Sequence, residues 1–293
     1  MTSHSIPRFW HKPWNEKLTT AQFLFRQGLA KLPFVPVPIY LDVTRTETLH
    51  LWWSYFVGFF DQDRAFFDYW GQDIGDLRFL WKILQAGNTF LDIGAYHGVY
   101  SVVAGSRVKN SGCVVAFEPS PRERRRLRLH LLWNGIRCAR VELLAVGGAA
   151  SETSFFQVVS GDPTRNGLKP PATDDSVAKI TVKTISLDQY VAEAGIRKVD
   201  VMKVDVEGGE LEVLRGGTGM FNQFRPILIC EVLDETTQVW GYKAREIISL
   251  LRAIGYLWFE CRADGTLIPH KILDEYPVVK NYVAVPREKL HLV

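Results

Sequence analysis

The chain has 293 residues, 47% of them apolar and 23% charged, with a formal charge of +3 at pH 7. That length suffices for one large core with or without a sizeable extension, and the composition is that of an ordinary globular protein. So small a net charge gives no support of its own to a nucleic-acid partner, and any electrostatic argument has to come from local clusters.

Residues 1–72 read as an aromatic-rich amino-terminal extension, expected to be mainly helical. Its opening, "MTSHSIPRFWHKPWNEKL", lacks the continuous apolar core of a secretory signal. "KLPFVPVPIYLDV" is an extended, proline-stiffened connector. The most membrane-like run, "LHLWWSYFVGFF" (Leu49 to Phe60), falls short of the roughly 20 residues a bilayer span needs, so a buried helix or a docking surface is expected. This segment could close over an acceptor pocket or supply a homodimer contact. Four scattered cysteines with no CxxC pair argue against a disulfide framework or a zinc site, and they favour a reducing compartment. The expectation is a soluble cytoplasmic protein.

Residues 73–293 form the second unit. Ile74, Leu77, Leu80, Trp81 and Leu84 recur at helical spacing, and "AGN" ends that pattern. Then follow the short apolar runs "TFLDIGA", "CVVAFEP", "RVELLAVG", "DVMKVDVEG" and "PILICEV", each long enough for a buried strand. Helical stretches at 98–108, 120–134, 210–221 and 243–254 separate most of them. Strand–helix alternation with right-handed crossovers predicts an α/β fold with a doubly wound, mostly parallel open sheet. "TSFFQVV" and "AKITVKTISL" are expected to pair antiparallel around a polar loop, and "NYVAVP" to supply a closing strand.

In such a sheet, ligands bind at the carboxyl ends of the strands where strand order reverses. At the first end, "FLDIGAYHGVY", Gly94 allows a close backbone approach and Gly98 lets the next helix pack, while Asp92 can orient the loop or meet a positive ligand group. Glu118, 26 residues past Asp92, is placed to hydrogen-bond a ribose. Neither GxGxxG nor GK[ST] is present, so a ligand without phosphates fits better than a dinucleotide, and S-adenosylmethionine is one. The bland alternative is a glycine turn that only packs helix on strand.

At the third end, Asp205, Glu207 and Glu210 crowd the strand-to-helix junction of "DVMKVDVEGGELEVLRGG". Clustered carboxylates raise one another's pKa, so one can act as a general base, or the group can hold a divalent cation; capping of a helix start is the alternative, and the stronger one for Glu210. Glu231 and Asp234, after the fifth strand, face either the acceptor or the surface. The arginines of "PRERRRLRLHLLWN" are expected to be mostly solvated.

In order, "FLDIGAYHGVYSVVAG", "VVAFEPSPRERRRLRLHLLWNG", "TISLDQYV", "VDVMKVDVEGGELEVLRGG" and "PILICEV" resemble the FkbM family of S-adenosylmethionine-dependent methyltransferases, over roughly Asp73 to Pro286. The resemblance implies a Rossmann-like class I methyltransferase fold with an antiparallel last strand, and methyl transfer to oxygen, often a hydroxyl of a sugar or natural product. It places Asp92, Gly94, Ala95, Tyr96 and Gly98 in the cofactor loop, Glu118 and Ser120 at the ribose end, and Asp205, Glu207 and Gly208 near the methyl-transfer centre. Tyr96 and Ser120 depart from the pattern, which usually carries asparagine at both positions. The acceptor is expected to be a small molecule or glycan. A nicotinamide-dependent oxidoreductase or epimerase, and a non-catalytic nucleotide-binding relative, are the alternatives.

Overall fold

The computed structural model describes residues 37–42, 52–57 and 64–293 apart from residue 161. A hairpin, β1 (Val37–Asp42) with β2 (Trp52–Val57), precedes helix α1 (Arg64–Ile83). The described part of the Leu49 to Phe60 run is therefore a strand rather than the expected helix. All six residues Trp52–Val57 pair in antiparallel register with the proline-bearing β1, which the extended connector foreshadowed. The rest of residues 1–63 lies outside the described residues. Helix α1 crosses residue 72 and buries Leu77 and Leu80, with Leu84 buried just past its end.

The main sheet has eight strands: β3 (Thr89–Ile93), β4 (Cys113–Phe117), β5 (Ala139–Glu142), β9 (Val201–Val204), β10 (Ile227–Glu231), β11 (Tyr256–Cys261), β12 (Leu267–Pro269) and β13 (Asn281–Pro286). Their order is β12-β11-β13-β10-β9-β3-β4-β5. The run from β10 to β5 is parallel throughout, and β13 enters antiparallel between β10 and β11. From β3 the chain moves outward through β4 and β5, then returns to β9 on the other side of β3. The order thus reverses between β3 and β9, the place where open sheets open a crevice.

Strand parity assigns the two faces. Leu91, Ile93, Leu228 and Cys230 point to one face, packed by α4 (Leu187–Glu193), α5 (Glu210–Arg215), α6 (Thr218–Phe224) and α8 (Arg245–Ala253). Phe90, Val201, Ile227 and Ile229 point to the other, packed by α1 and α2 (Val99–Val108). Helix α3 (Pro121–Trp133) adds Leu127 and Leu131 against Ala95, Val102 and Ala116. Burial of this apolar surface on both faces is what makes the layered arrangement stable.

Two runs expected as single elements are broken. "RVELLAVG" splits at the exposed Leu143 into β5 and β6 (Leu144–Val146). β6 belongs to a separate three-stranded sheet, β6-β8-β7, with β7 (Ser151–Val158) and β8 (Val177–Ile185) antiparallel as expected. The helix expected over 210–221 breaks at Gly216 and Gly217 into α5 and α6, and a Cβ at Gly216 would lie 2.3 Å from the carbonyl oxygen of Gly147. The short α7 (Asp234–Gln238) follows β10. Among the described residues no helix is long and apolar enough to cross a membrane. The four cysteines are free thiols, with Cys230 buried and the others half-buried.

Candidate active site

A cavity of about 440 Å³ opens at the β3–β9 reversal, within the range that small-molecule sites occupy. Asp92, Gly94, Ala95 and Tyr96 line it from β3, Glu118 from β4, and Asp205, Glu207 and Glu231 from β9 and β10. Phe155 and the 162–172 segment also contribute, the latter carrying Arg165 and Lys169.

The β3 loop is set by backbone geometry. Gly94 has φ 79°, and a Cβ there would lie 1.8 Å from the carbonyl oxygen of Asp205. The amides of Gly94 and Ala95 both donate to Phe117 O, tying the turn to β4. Gly98, at φ 82°, starts α2 where a Cβ would strike Leu127 of α3. It serves helix packing and does not line the cavity. Tyr96 also adopts a left-handed conformation, φ 50°, which asparagine tolerates better than a bulky residue. Its ring stacks on the imidazole of His97 at 3.7 Å and 17°, a contact that asparagine cannot make.

Glu118 joins the two loops. Its Oε2 accepts from Tyr96 N and its Oε1 from Ser120 N, both at 2.8 Å. Burial, only partly offset by these two bonds, pushes its carboxyl up to about 8. Each oxygen keeps a further lone pair, so the group can still accept from a ribose. Ser120 is turned elsewhere: its Oγ caps α3 by accepting from Glu123 N and takes a bond from Gln157 Nε2 at 3.0 Å. It is buried and does not line the cavity, so the structure gives this expected cofactor residue a capping role.

Asp92 is buried, and Ser101 Oγ donates to its Oδ2 at 2.6 Å. Burial raises its carboxyl, and Lys203 and Ser101 oppose that shift. Asp92 Oδ1 has no hydrogen-bond partner among the described residues. Lys203, unnoticed in the sequence, is its cross-strand neighbour on β9. The buried Lys203 ammonium lies 2.6 Å from Asp205 Oδ2 and over the Tyr100 ring at 4.6 Å. A lysine inside the apolar strand "VMKV" was the available signal.

Glu207 sits at φ 56°, and Trp240 Nε1 donates to its carbonyl at 3.1 Å. Burial, with Asp205 and Glu210 nearby, raises its carboxyl well above the ordinary range. Glu231 ends β10, and register continues Val204–Cys230 pairing into Asp205 beside Glu231. Burial, Asp205 and Glu207 likewise raise Glu231. Glu210 is structural: its Oε1 accepts from Val206 N and Gly208 N, closing the loop before α5. Asp234 does similar work, accepting from Ala244 N and Tyr276 N.

Beneath the loop lies a buried polar group. His97 Nε2 is 2.6 Å and Arg126 Nη1 3.2 Å from Glu123 Oε2, and Arg122 pairs with the other oxygen. Burial alone would raise Glu123, but His97, Arg126 and Arg122 outweigh it and hold it at about 2. His130 Nδ1 donates to His97 O, and burial holds that ring down to about 3 and neutral. The arginine-rich helix is thus less solvated than expected: Arg125 and Arg128 are exposed, whereas Arg126 is buried. His97 supports the loop from below.

The residues present suit an adenosine ligand: an orphaned buried carboxylate oxygen on Asp92, a ribose-ready Glu118, and no glycine pair to seat a pyrophosphate. Sheet order, cavity and acid together define a Rossmann-like site for an adenosine-bearing ligand. The model of the methyltransferase FkbM domain matches residues 92–257, and the chain belongs to that family. The nicotinamide-dependent alternative falls with that membership. The hexuronic acid methyltransferase AglP of Haloferax volcanii is 28% identical over 158 residues, covering 54% of this chain and 61% of that protein. The chain thus spans less than two thirds of that relative. Among solved structures, methyltransferase FkbM from Methylobacillus flagellatus is 15% identical, covers 68% of this chain and 43% of its own, and has a TM-score of 0.43. The O-methyltransferase TomG from Streptomyces achromogenes, solved with S-adenosylmethionine, is 10% identical, with coverages of 72% and 77% and a TM-score of 0.41.

Proposed function

We propose that residues 73–293 transfer a methyl group from S-adenosylmethionine to a hydroxyl of a small-molecule or glycan acceptor. The relative named as a hexuronic acid methyltransferase supports a sugar. The observation that carries the reading is one cavity receiving Asp92 and Glu118 from β3 and β4 and three carboxylates from β9 and β10.

When bound, S-adenosylmethionine supplies an electrophilic methyl group on a sulfonium centre. Asp92, Gly94, Ala95, Tyr96 and Glu118 are the residues that would hold it, with Glu118 placed to accept from the ribose. The chain then aligns the acceptor oxygen for in-line attack and removes its proton. Asp205 or Glu207 accepts that proton. Burial and the neighbouring Asp205 and Glu210 raise Glu207, which makes its carboxylate a stronger proton acceptor.

Calorimetry with S-adenosylhomocysteine tests the donor site: wild type binds and Glu118→Ala binds about tenfold more weakly, the scale of one lost hydrogen bond. Wild-type affinity in that variant would remove the site assignment. Transfer of labelled methyl to a panel of hexuronic acids and neutral sugars tests the acceptor. Asp205→Asn and Glu207→Gln should each lower turnover about a hundredfold while still binding S-adenosylhomocysteine. Full activity in both excludes them from the chemistry.

A further inference from the structure

Asp92 and Lys203 are register partners on the neighbouring strands β3 and β9, so their side chains leave the sheet on the same face, with the strands about 4.8 Å apart. Both line the cavity, and both are almost fully buried, at 1% and 4% exposure. Opposite charges are thus presented side by side in one wall of the site. Asp92 Oδ2 is taken by Ser101, whereas Oδ1 has no hydrogen-bond partner among the described residues. Folded proteins rarely leave a buried carboxylate oxygen unmet, and a ligand that brings an N–H donor would meet this one.

Lys203 stands in an apolar strand, where an ammonium is costly without compensation. Asp205 Oδ2 and the Tyr100 ring supply part of that compensation, and an ammonium carries three donors to share among its partners. Asp92 and Asp205 together outweigh Lys203 by one negative charge. S-adenosylmethionine, with a sulfonium, an ammonium and a carboxylate, brings one net positive charge. Position along the sheet agrees: Glu118, Asp92 and Lys203 belong to, or directly follow, the consecutive strands β4, β3 and β9. A ligand whose ribose meets Glu118 therefore reaches Lys203 two strand spacings away, roughly 10 Å along the cavity.

We propose that Asp92 and Lys203 form a receptor for the amino-acid end of the methyl donor, in which Asp92 Oδ1 accepts from the α-ammonium and Lys203 Nζ donates to the α-carboxylate. Both charged groups of an α-amino acid hang from one carbon, so two side chains of opposite sign on adjacent strands can meet them together. A phosphate group in the same place would suit the lysine but stand against Asp92. The assignment deepens the methyl-transfer reading and rests on its donor site, to which it adds Lys203 as a binding residue. Because the same ammonium is bonded to Asp205, it also joins the tail of the donor to the carboxylate side of the cavity.

The test is calorimetry of the full-length protein with S-adenosylhomocysteine, its decarboxylated analogue and its deaminated analogue. Wild type should bind the parent compound at least about tenfold more tightly than either analogue, the scale of one charged hydrogen bond. Lys203→Met should lose the preference over the decarboxylated analogue and keep that over the deaminated one, and Asp92→Asn should show the reverse. Lys203→Met leaves Asp205 without its ammonium, so the comparison is repeated in Asp205→Asn with and without Lys203→Met, where the ion pair is removed as a whole. Equal affinity of wild type for the parent and the decarboxylated analogue, or a preference that survives the loss of Lys203, overturns the assignment while the donor reading stands, since the parent is still bound. Failure of wild type to bind S-adenosylhomocysteine removes the donor reading and this assignment with it.

Discussion

Gly94→Ala tests whether the β3–β9 reversal is as tightly closed as it looks. Two separable costs are expected. The φ of 79° costs an L-residue about 1–2 kcal/mol. The added methyl carbon would stand 1.8 Å from Asp205 O, a backbone atom that no rotamer change can move. The two strand ends must therefore part by roughly 1 Å in a close-packed interior, and overpacking of this kind costs about 1–3 kcal/mol. The total expected loss is about 2–5 kcal/mol. Gly195→Ala is the matched control, with φ 63° and nothing within 4 Å of the added atom, so it carries the conformational cost alone. Urea denaturation of both variants beside wild type isolates the steric part, and S-adenosylhomocysteine calorimetry reports the loop. Equal losses in the two variants, with donor binding intact in Gly94→Ala, would refute the claim that the Asp205 carbonyl defines this loop.

Glu118 has a folded carboxyl raised to about 8 from an ordinary value of 4.5, so its contribution to stability is full below pH 4.5 and is lost as pH rises through 8. Thermal melts should show wild type losing on the order of 5 kcal/mol across that window relative to Glu118→Gln; parallel pH profiles would contradict this. Glu123 has the opposite sign: held at about 2, it stabilises above pH 4.5 and loses that contribution as pH falls towards 2. Glu123→Ala strands Arg126 and His97 in the interior and should cost about 3–5 kcal/mol at pH 7, a gap that narrows in acid unfolding experiments. Ser120→Ala should lower stability by about 1 kcal/mol through loss of the α3 cap, with S-adenosylhomocysteine affinity unchanged in calorimetry. Weakened donor binding there would restore Ser120 to the cofactor site.

Strands β3, β4, β9 and β10 were readable as short apolar runs, and the acids at or beside their carboxyl ends, Asp92, Glu118, Asp205 and Glu231, all reach one cavity. Loop conformation was less readable. Nothing in "AYHG" indicates that Tyr96 is held left-handed over a histidine, since that stacking depends on Glu123 and Arg126 arriving from α3. Helix periodicity predicts mostly solvated arginines but does not single out Arg126 as the one that finds a buried acid, because it marks only which face is apolar. Ser120 carries both a cap and a family position in its sequence context, and only the partner Gln157, 37 residues away, separates them. "RVELLAVG" reads as one strand because apolar runs do not record a change of sheet. Leu49 to Phe60 could not be typed by periodicity, as a short apolar run fits either a strand or a buried helix.

The contact between Gly94 and the Asp205 carbonyl has a further meaning for how such a protein can diversify. It fastens the donor half of the cavity to the carboxylate half through main chain, so their relative position is inherited with the sheet. The 162–172 segment, by contrast, hangs between β7 and β8 of the small sheet, outside that frame. Away from Gly167, where an added Cβ would meet Glu207 Cβ at 3.3 Å, changes in that segment leave the Gly94–Asp205 contact untouched. The architecture keeps an invariant chemical station apart from a replaceable recognition port.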